Sequence, residues 1–160
     1  MNLQKLIASL TIVAILYVLA SMWLQELNRQ GFEDSVPAEF EITDTLSSQG
    51  LVCGGAIFKI SDATILKINS EGLNFFAHAI KPRVIDEGRY SSYLAWRETP
   101  VPERDLGGEG LWFKCLENKI VKDIVDAAGK TGAYYSTSTD RRAMLIVSPS
   151  LGVFAYSFWD

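Results

Sequence analysis

The chain has 160 residues, a formal net charge of −4 and an isoelectric point near 5.0. Its 15 lysines and arginines form no run or stripe, so we exclude the electrostatic footprint of a nucleic-acid binder. The Gly-x-Ser-x-Gly and His-Glu-x-x-His motifs are missing, as is any paired Asp-x-Asp motif. We therefore assign no catalytic residue, no metal site and no cofactor.

An apolar run without a charge begins at Leu6 and ends at Leu24. At about 1.5 Å per residue, a helix of this length spans nearly the whole hydrocarbon core of roughly 30 Å. Lys5 precedes the run and Glu26 is the first charged residue after it. The positive-inside rule predicts a cytoplasmic tail over 1–5, a signal anchor over 6–24 and an exported remainder.

A cleaved signal peptide is the alternative, since Val18-Leu19-Ala20 resembles a signal-peptidase site. We favour the anchor because Met22, Trp23 and Leu24 extend the apolar run beyond Ala20. Both interpretations export the rest of the chain. We expect a single-pass protein of a bacterial inner membrane, with its C-terminal domain periplasmic or extracellular.

The segment 25–45 is expected to contain the end of the first helix, at Gly31, and then an acidic linker with Pro37. About 115 residues remain, over 46–160, which is enough for one ordinary domain. Cys53 and Cys115 both lie in this exported part. We predict a disulfide between them, worth roughly 4 kcal/mol for a loop of about sixty residues. Two buried thiols are the alternative.

The sequence pattern of the first segment of the domain fits two kinds of secondary structure, whereas that of the second fits one. Over 46–60 the apolar spacing is helical, but Gly54-Gly55 disfavours a helix and leaves a strand over 51–60 as the alternative. Over 62–80 the pattern predicts an amphipathic helix that is capped by Ser61 and interrupted at Gly72. His78 lies on this helix, where we interpret it as structural rather than as a general base.

The middle of the chain predicts a strand over 89–98, an exposed loop over 99–110 with two prolines, and a helix over 111–128 that Gly129 ends. Three short β-prone runs come next, over 133–139, 143–148 and 153–159. The fold class is therefore α+β. About three helices pack on one face of a small antiparallel sheet that ends in a three-stranded meander.

Three regions are candidates for partner binding. The long loop and the turn between two C-terminal strands contain charged residues, and the uncovered face of the predicted sheet exposes aromatic rings. The candidate residues are Glu103, Arg104, Asp105, Glu109, Tyr134, Arg141, Arg142, Tyr156 and Trp159.

The sequence thus favours a membrane-anchored extracytoplasmic protein that binds an envelope protein, of which an inhibitor or immunity protein is one version. No small-molecule ligand is indicated. The first alternative is a carboxylate-based hydrolase of envelope glycans or peptides, using a pair among Asp62, Asp86, Glu87, Glu98 and Asp105. The second alternative is an accessory subunit of a membrane complex.

Overall fold

The computed structural model describes residues 3–50, 53–84, 92–105, 113, 116 and 119–159. It shows an α+β fold with a long N-terminal helix and a six-stranded antiparallel sheet. The helices are α1 (Leu3–Ser35), α2 (Asp62–Glu71) and α3 (Ile120–Ala128). The strands are β1 (Ile42–Gly50), β2 (Cys53–Ile60), β3 (Arg97–Glu98), β4 (Tyr134–Thr137), β5 (Ala143–Ser148) and β6 (Val153–Trp159).

The strand order in the sheet is β1-β2-β6-β5-β4-β3. The predicted C-terminal meander is confirmed, because β4, β5 and β6 pair in sequence order. The strand alternative for 51–60 is also confirmed over the described residues 53–60. This strand joins the meander by pairing with β6, from Cys53 opposite Trp159 to Lys59 opposite Val153. Residues 51 and 52 lie outside the described part of the chain.

The glycine pair that disfavoured a helix has a steric role in β2. A Cβ at Gly55 would lie 2.0 Å from the carbonyl oxygen of Tyr156 in β6, and one at Gly54 would lie 2.1 Å from that of Gln49 in β1. Both distances are far below van der Waals contact. The glycines therefore let the backbones of β1, β2 and β6 approach one another closely.

The helix predicted over 62–80 begins as expected and is shorter than expected. The Ser61 hydroxyl accepts a hydrogen bond from the Thr64 N–H at 3.1 Å, which satisfies a free donor of the first turn. Gly72 has φ +56° and interrupts the α-helix, after which Gly72–Ala77 forms a 3-10 turn. His78 comes directly after this turn and is exposed.

The region between the apolar run and the sheet differs from the prediction. Helix α1 continues through Gly31 to Ser35, and only six residues separate it from β1. Val36 and Phe40 are fully buried in the core, so an acidic linker over this segment was the wrong interpretation. Phe32, Val36 and Phe40 are spaced four apart, and the acidic residues around them obscured this apolar series.

The structure shortens two other predicted elements. Strand β3 covers only Arg97–Glu98, and Tyr93 makes an isolated bridge to Ser138. The α-helix predicted over 111–128 is described only as α3, from Ile120, and it ends at Gly129 as expected. Residues 85–91, 106–112, 114, 115, 117 and 118, which the remaining parts of these predictions include, lie outside the described residues.

Both faces of the sheet are covered, although helices were expected on one face. Helix α2, the 3-10 turn and the end of α1 pack on one face, against Phe58, Leu145 and Phe154. Helix α3 packs on the other face with Ile57 and Ile146. All six residues of β5 are buried. The unbroken apolar stretch in Ala143–Ser148 is typical of a strand that is covered on both sides.

Candidate functional site

An open groove of about 610 Å³ lies at the β3 edge of the sheet. We call it the arginine groove because three arginines line it together with a single described carboxylate. Its described lining residues are Leu94, Ala95, Arg97, Arg104, Asp105, Thr137 and Arg141. They come from β3 and the residues before it, from the 3-10 turn Glu103–Asp105, and from the β4–β5 hairpin.

Strand pairing positions Arg97 at the base of the groove. Arg97 lies opposite Tyr135 in the β3–β4 register, and its guanidinium carbon is 4.8 Å from the centroid of the tyrosine ring. At this distance the cation is attracted to the face of the ring. Tyr135 is itself buried in the core on the α3 face. The Tyr135 ring therefore contacts one side of the Arg97 guanidinium, while the Arg97 side chain stays partly exposed.

Asp105 forms ion pairs with two of the arginines, Arg97 and Arg104. Its carboxylate lies 3.1 Å from Nη2 of Arg97 and 3.8 Å from Nε of Arg104, and it accepts a 3.5 Å hydrogen bond from the Tyr135 hydroxyl. The Asp105 side chain is only 20% exposed, whereas that of Arg104 is 79% exposed. Arg97 is thus the more tightly held cation of the groove, and Arg104 is the more exposed one at its rim.

A turn at the end of β4 supplies Arg141. This residue has φ +60°, an unusual conformation for a residue other than glycine. The turn is held by Asp140, whose carboxylate accepts hydrogen bonds from the Ser138 hydroxyl and from the Arg142 N–H. Arg141 is exposed and makes no ion pair with any residue that the structure describes.

The described lining of the groove is mainly cationic, whereas the whole protein has a net charge of −4. Among the lining residues that the structure describes, three are cationic and one is anionic. Burial raises the pKa of Tyr135, the Asp105 carboxylate raises it further, and the Arg97 guanidinium opposes this. Tyr135 therefore stays a neutral donor at physiological pH. The arrangement is suited to binding a carboxylate or another anion.

The structure brings together three of the predicted partner-binding residues, namely Arg104, Asp105 and Arg141. Glu103 and Arg142 are exposed next to the groove but do not line it. Glu109 lies outside the described residues, as does the side chain of Trp159. The sequence-based candidates missed Arg97, which only the pairing of β3 with β4 brings beside the other arginines.

The expected aromatic face is not exposed at the two residues that the structure describes. Tyr156 is buried on the α2 face and packs near Phe32, with ring centroids 6.2 Å apart. Tyr134 is half-buried and lies 4.6 Å from the Phe76 ring. Burial raises the pKa of Tyr134, and the negative charge of Glu98 raises it further. Both tyrosines fill the core that covers this face of the sheet.

The carboxylates considered for hydrolysis do not converge in the described part of the chain. Asp105 forms an ion pair with Arg97. Glu98, the residue after Arg97, interacts electrostatically with Tyr134 on the opposite face of the sheet. Asp62 begins α2, and Asp86 and Glu87 lie outside the described residues. Among the residues described, no group of three histidine, cysteine or acidic side chains could hold a metal ion.

The predicted Cys53–Cys115 disulfide stays a prediction. Cys53 is the first residue of β2, which lies next to the edge strand β1, and Cys115 lies outside the described residues. The two described neighbours of Cys115, Phe113 and Leu116, are buried against the α3 face of the sheet.

Three comparisons with known proteins return no match. No protein-family model, no curated protein and no solved structure matches the chain. The geometry of the arginine groove and the character of α1 are therefore the basis for a functional proposal.

Proposed function

We propose that this protein is a membrane-anchored binding module that holds an acidic segment of an envelope protein in the arginine groove. The observation that carries the proposal is that Arg97, Arg104 and Arg141 line one groove with a single described carboxylate, in a protein of net negative charge. Guanidinium groups bind carboxylates through paired hydrogen bonds, and several of them in one groove select a segment with several acidic side chains.

The shape of the groove supports a protein segment as the ligand. A volume of about 610 Å³ exceeds the needs of one acetate-sized group and accommodates a few residues of an extended chain. Arg97 is preorganised by Tyr135 and Asp105, so binding costs little side-chain entropy there. The exposed Arg104 adds attraction at the rim and favours rapid association.

The membrane anchor is the second part of the proposal. Helix α1 is long and apolar enough to cross a membrane, a property that signal sequences share. Its apolar side chains from Leu10 to Leu24 are exposed, as expected for a lipid-facing helix. We infer a single-pass protein of the bacterial inner membrane with the sheet on the periplasmic side. An inhibitor that caps an envelope enzyme is one form that this function takes.

A peptide titration tests the groove. The full chain in lipid nanodiscs is titrated with a fluorescein-labelled hexaglutamate peptide, and binding is followed by anisotropy. The triple variant R97Q/R104Q/R141Q is expected to weaken binding by about tenfold or more, because the loss of even one charged hydrogen bond costs about 1.5–3 kcal/mol.

A matched control separates the groove from net charge. The variant K59Q/K67Q/K81Q removes the same charge at three exposed lysines outside the lining, and it should weaken binding by less than threefold. Equal losses in the two triple variants, or no binding by the parent chain, would overturn the role of the groove.

A further inference from the structure

The contacts of α1 show where the helix meets the sheet. Glu33 accepts a hydrogen bond from the Thr45 hydroxyl of the edge strand β1 at 3.3 Å. Phe32, one residue earlier, packs near Phe158 of β6, with ring centroids 6.0 Å apart. Strand β6 is third in the strand order. The last turns of α1 therefore lie across the sheet, from the β1 edge inwards.

The end of α1 continues in the same direction. The Ser35 carbonyl accepts a hydrogen bond from the Tyr93 hydroxyl. Tyr93 belongs to the chain that leads into β3, and it bridges to Ser138, the residue directly after β4. The axis of α1 therefore runs from the β1 edge of the sheet towards the β3 edge, where the arginine groove lies.

The part of α1 before these contacts projects from the domain. Residues 22–28 are all exposed, whereas Phe32 is half-buried and Ser35 is fully buried. The helix is continuous from Leu3 to Ser35, so one element contains both the apolar run and the segment that lies on the sheet. An anchored chain consequently has its β1 edge towards the bilayer and its β3 edge away from it.

The helical rise and the strand spacing give the height of the groove. Arg29 lines a cavity with Asp44 of β1 and lies about 7.5 Å beyond Leu24, the end of the apolar run. Five strand spacings separate β1 from β3, which corresponds to about 24 Å. The groove is therefore roughly 30 Å beyond the apolar run, and a helix tilt of about 40° shortens this distance by about a quarter. Each headgroup layer is only about 5–8 Å thick.

The groove and α1 also use different faces of the sheet. The Arg97 guanidinium lies over the ring of Tyr135, which belongs to the core on the α3 face. Phe32 of α1 packs on the α2 face. In the part of the chain that the structure describes, no residue of α1 lines the groove. The groove is thus on the far side of the domain from the point at which α1 leaves it.

This distance limits the acidic groups that can reach the arginines. The Debye length is about 8 Å at physiological ionic strength, so lipid phosphates act only weakly on a groove that lies more than two such lengths away. An acidic segment that directly follows a membrane-spanning helix of another protein lies too close to the bilayer for the same reason.

We propose that the arginine groove binds an acidic segment of a soluble envelope protein, which approaches the domain from the side that faces away from the membrane. The inference rests on the proposed function and specifies its partner. It makes the membrane helix a support that holds the groove clear of anionic lipid, so that lipid headgroups do not compete with the protein ligand.

Quenching by a spin-labelled lipid tests the orientation. The variants N28C and T139C of the full chain are labelled with nitrobenzoxadiazole and reconstituted in phosphatidylcholine nanodiscs, with and without phosphatidylcholine that has a spin label on its headgroup. Asn28 is an exposed residue four positions beyond Leu24, and Thr139 is an exposed residue of the hairpin that supplies Arg141. The parent chain, treated in the same way, gives the background from Cys53 and Cys115.

The two positions should differ strongly. The label at position 28 should lose about half or more of its fluorescence because it lies within the headgroup layer, and the label at position 139 about a tenth or less. Equal quenching at the two positions would place the groove at the membrane and overturn the inference. Weak quenching at both positions would reject the anchor, and the inference with it.

Peptide binding in charged bilayers tests the source of the acidic segment. The labelled hexaglutamate peptide is titrated against the parent chain in nanodiscs of phosphatidylcholine and in nanodiscs with an equal part of phosphatidylglycerol. The two dissociation constants should agree within about twofold at physiological salt, because screening removes the effect of distant lipid charge. Binding that is about fivefold weaker with phosphatidylglycerol would identify anionic lipid as the occupant and overturn the proposal. Absence of binding in both nanodiscs would reject the proposed function itself, whereas the orientation measured by quenching would stand.

Discussion

The two edges of the sheet use arginine in opposite ways. At the β1 edge, Arg29 lies between Glu26 and Glu33, so two carboxylates compensate one guanidinium. At the β3 edge, Arg97, Arg104 and Arg141 line a groove with one described carboxylate, Asp105. The number of neighbouring carboxylates therefore decides whether an arginine stabilises its own helix or attracts a ligand.

The largest expected effect concerns the core that connects the two edges. Phe40 lies between α1 and β1, and its ring centroid is 4.7 Å from that of Phe154 and 5.8 Å from that of Trp96. Phe40→Ala should lower the free energy of unfolding by about 3–5 kcal/mol, because it leaves a cavity in a fully buried cluster. Urea unfolding of the chain in detergent micelles, followed by tryptophan fluorescence, measures the change.

The control for this variant is Leu66→Ala. Leu66 is 68% exposed on α2, so its truncation should change the free energy of unfolding by less than about 1 kcal/mol. Similar losses in the two variants would show that Phe40 belongs to a linker, and the docking of α1 on the sheet would then be incorrect.

An intermediate effect is expected when the groove loses its carboxylate. Asp105→Asn removes the charge that competes with a ligand for Arg97 and Arg104. The affinity for the hexaglutamate peptide should rise about two- to fivefold, in line with about 0.2–1 kcal/mol for a partly exposed ion pair. Glu103→Gln changes the same charge in the same turn but outside the lining. A larger gain from Glu103→Gln would contradict the assignment of Asp105.

The smallest effect is a pH dependence at the base of the groove. Burial raises the pKa of Tyr135 above its ordinary value of about 10, with a further contribution from Asp105. The folded state therefore holds this proton more tightly than the unfolded state. The stabilisation is fully present below about pH 10 and is lost as pH rises through the folded-state pKa.

Unfolding curves between pH 8 and pH 11 measure this dependence. Tyr135→Phe should reduce the fall in the free energy of unfolding above pH 10. The variant Y134F/Y135F should reduce it further, because burial also raises the pKa of Tyr134. A Tyr135→Phe profile as steep as that of the parent chain would assign the alkaline transition to other groups.

The sequence predicted correctly those elements that are stabilised by contacts between residues close to one another in the chain. Ser61 caps α2 through Thr64, three residues later, and Gly72 interrupts the same helix. The C-terminal meander has short connections between its strands, so alternate pairings compete little with the observed one. These features need only neighbouring residues, and the prediction was therefore correct for them.

Long-range pairing decided what the sequence left open or concealed. Helical spacing over 46–60 was overridden because Gly54 and Gly55 fit between the backbones of β1 and β6. The apolar series Phe32, Val36 and Phe40 was interpreted as part of a linker because its burial depends on α2 and the sheet.

The residues of the candidate site also fall into two groups, those that the sequence alone indicated and one that only the tertiary structure revealed. The amino-acid sequence determined that Arg104, Asp105 and Arg141 are charged residues in turns, and that the run from Leu6 to Leu24 is apolar enough for a membrane. Only the tertiary structure placed Arg97 beside them, through the pairing of β3 with β4. The physical reason is that charge and hydropathy belong to each residue, whereas a groove exists only when strands distant in sequence pair at one edge of a sheet.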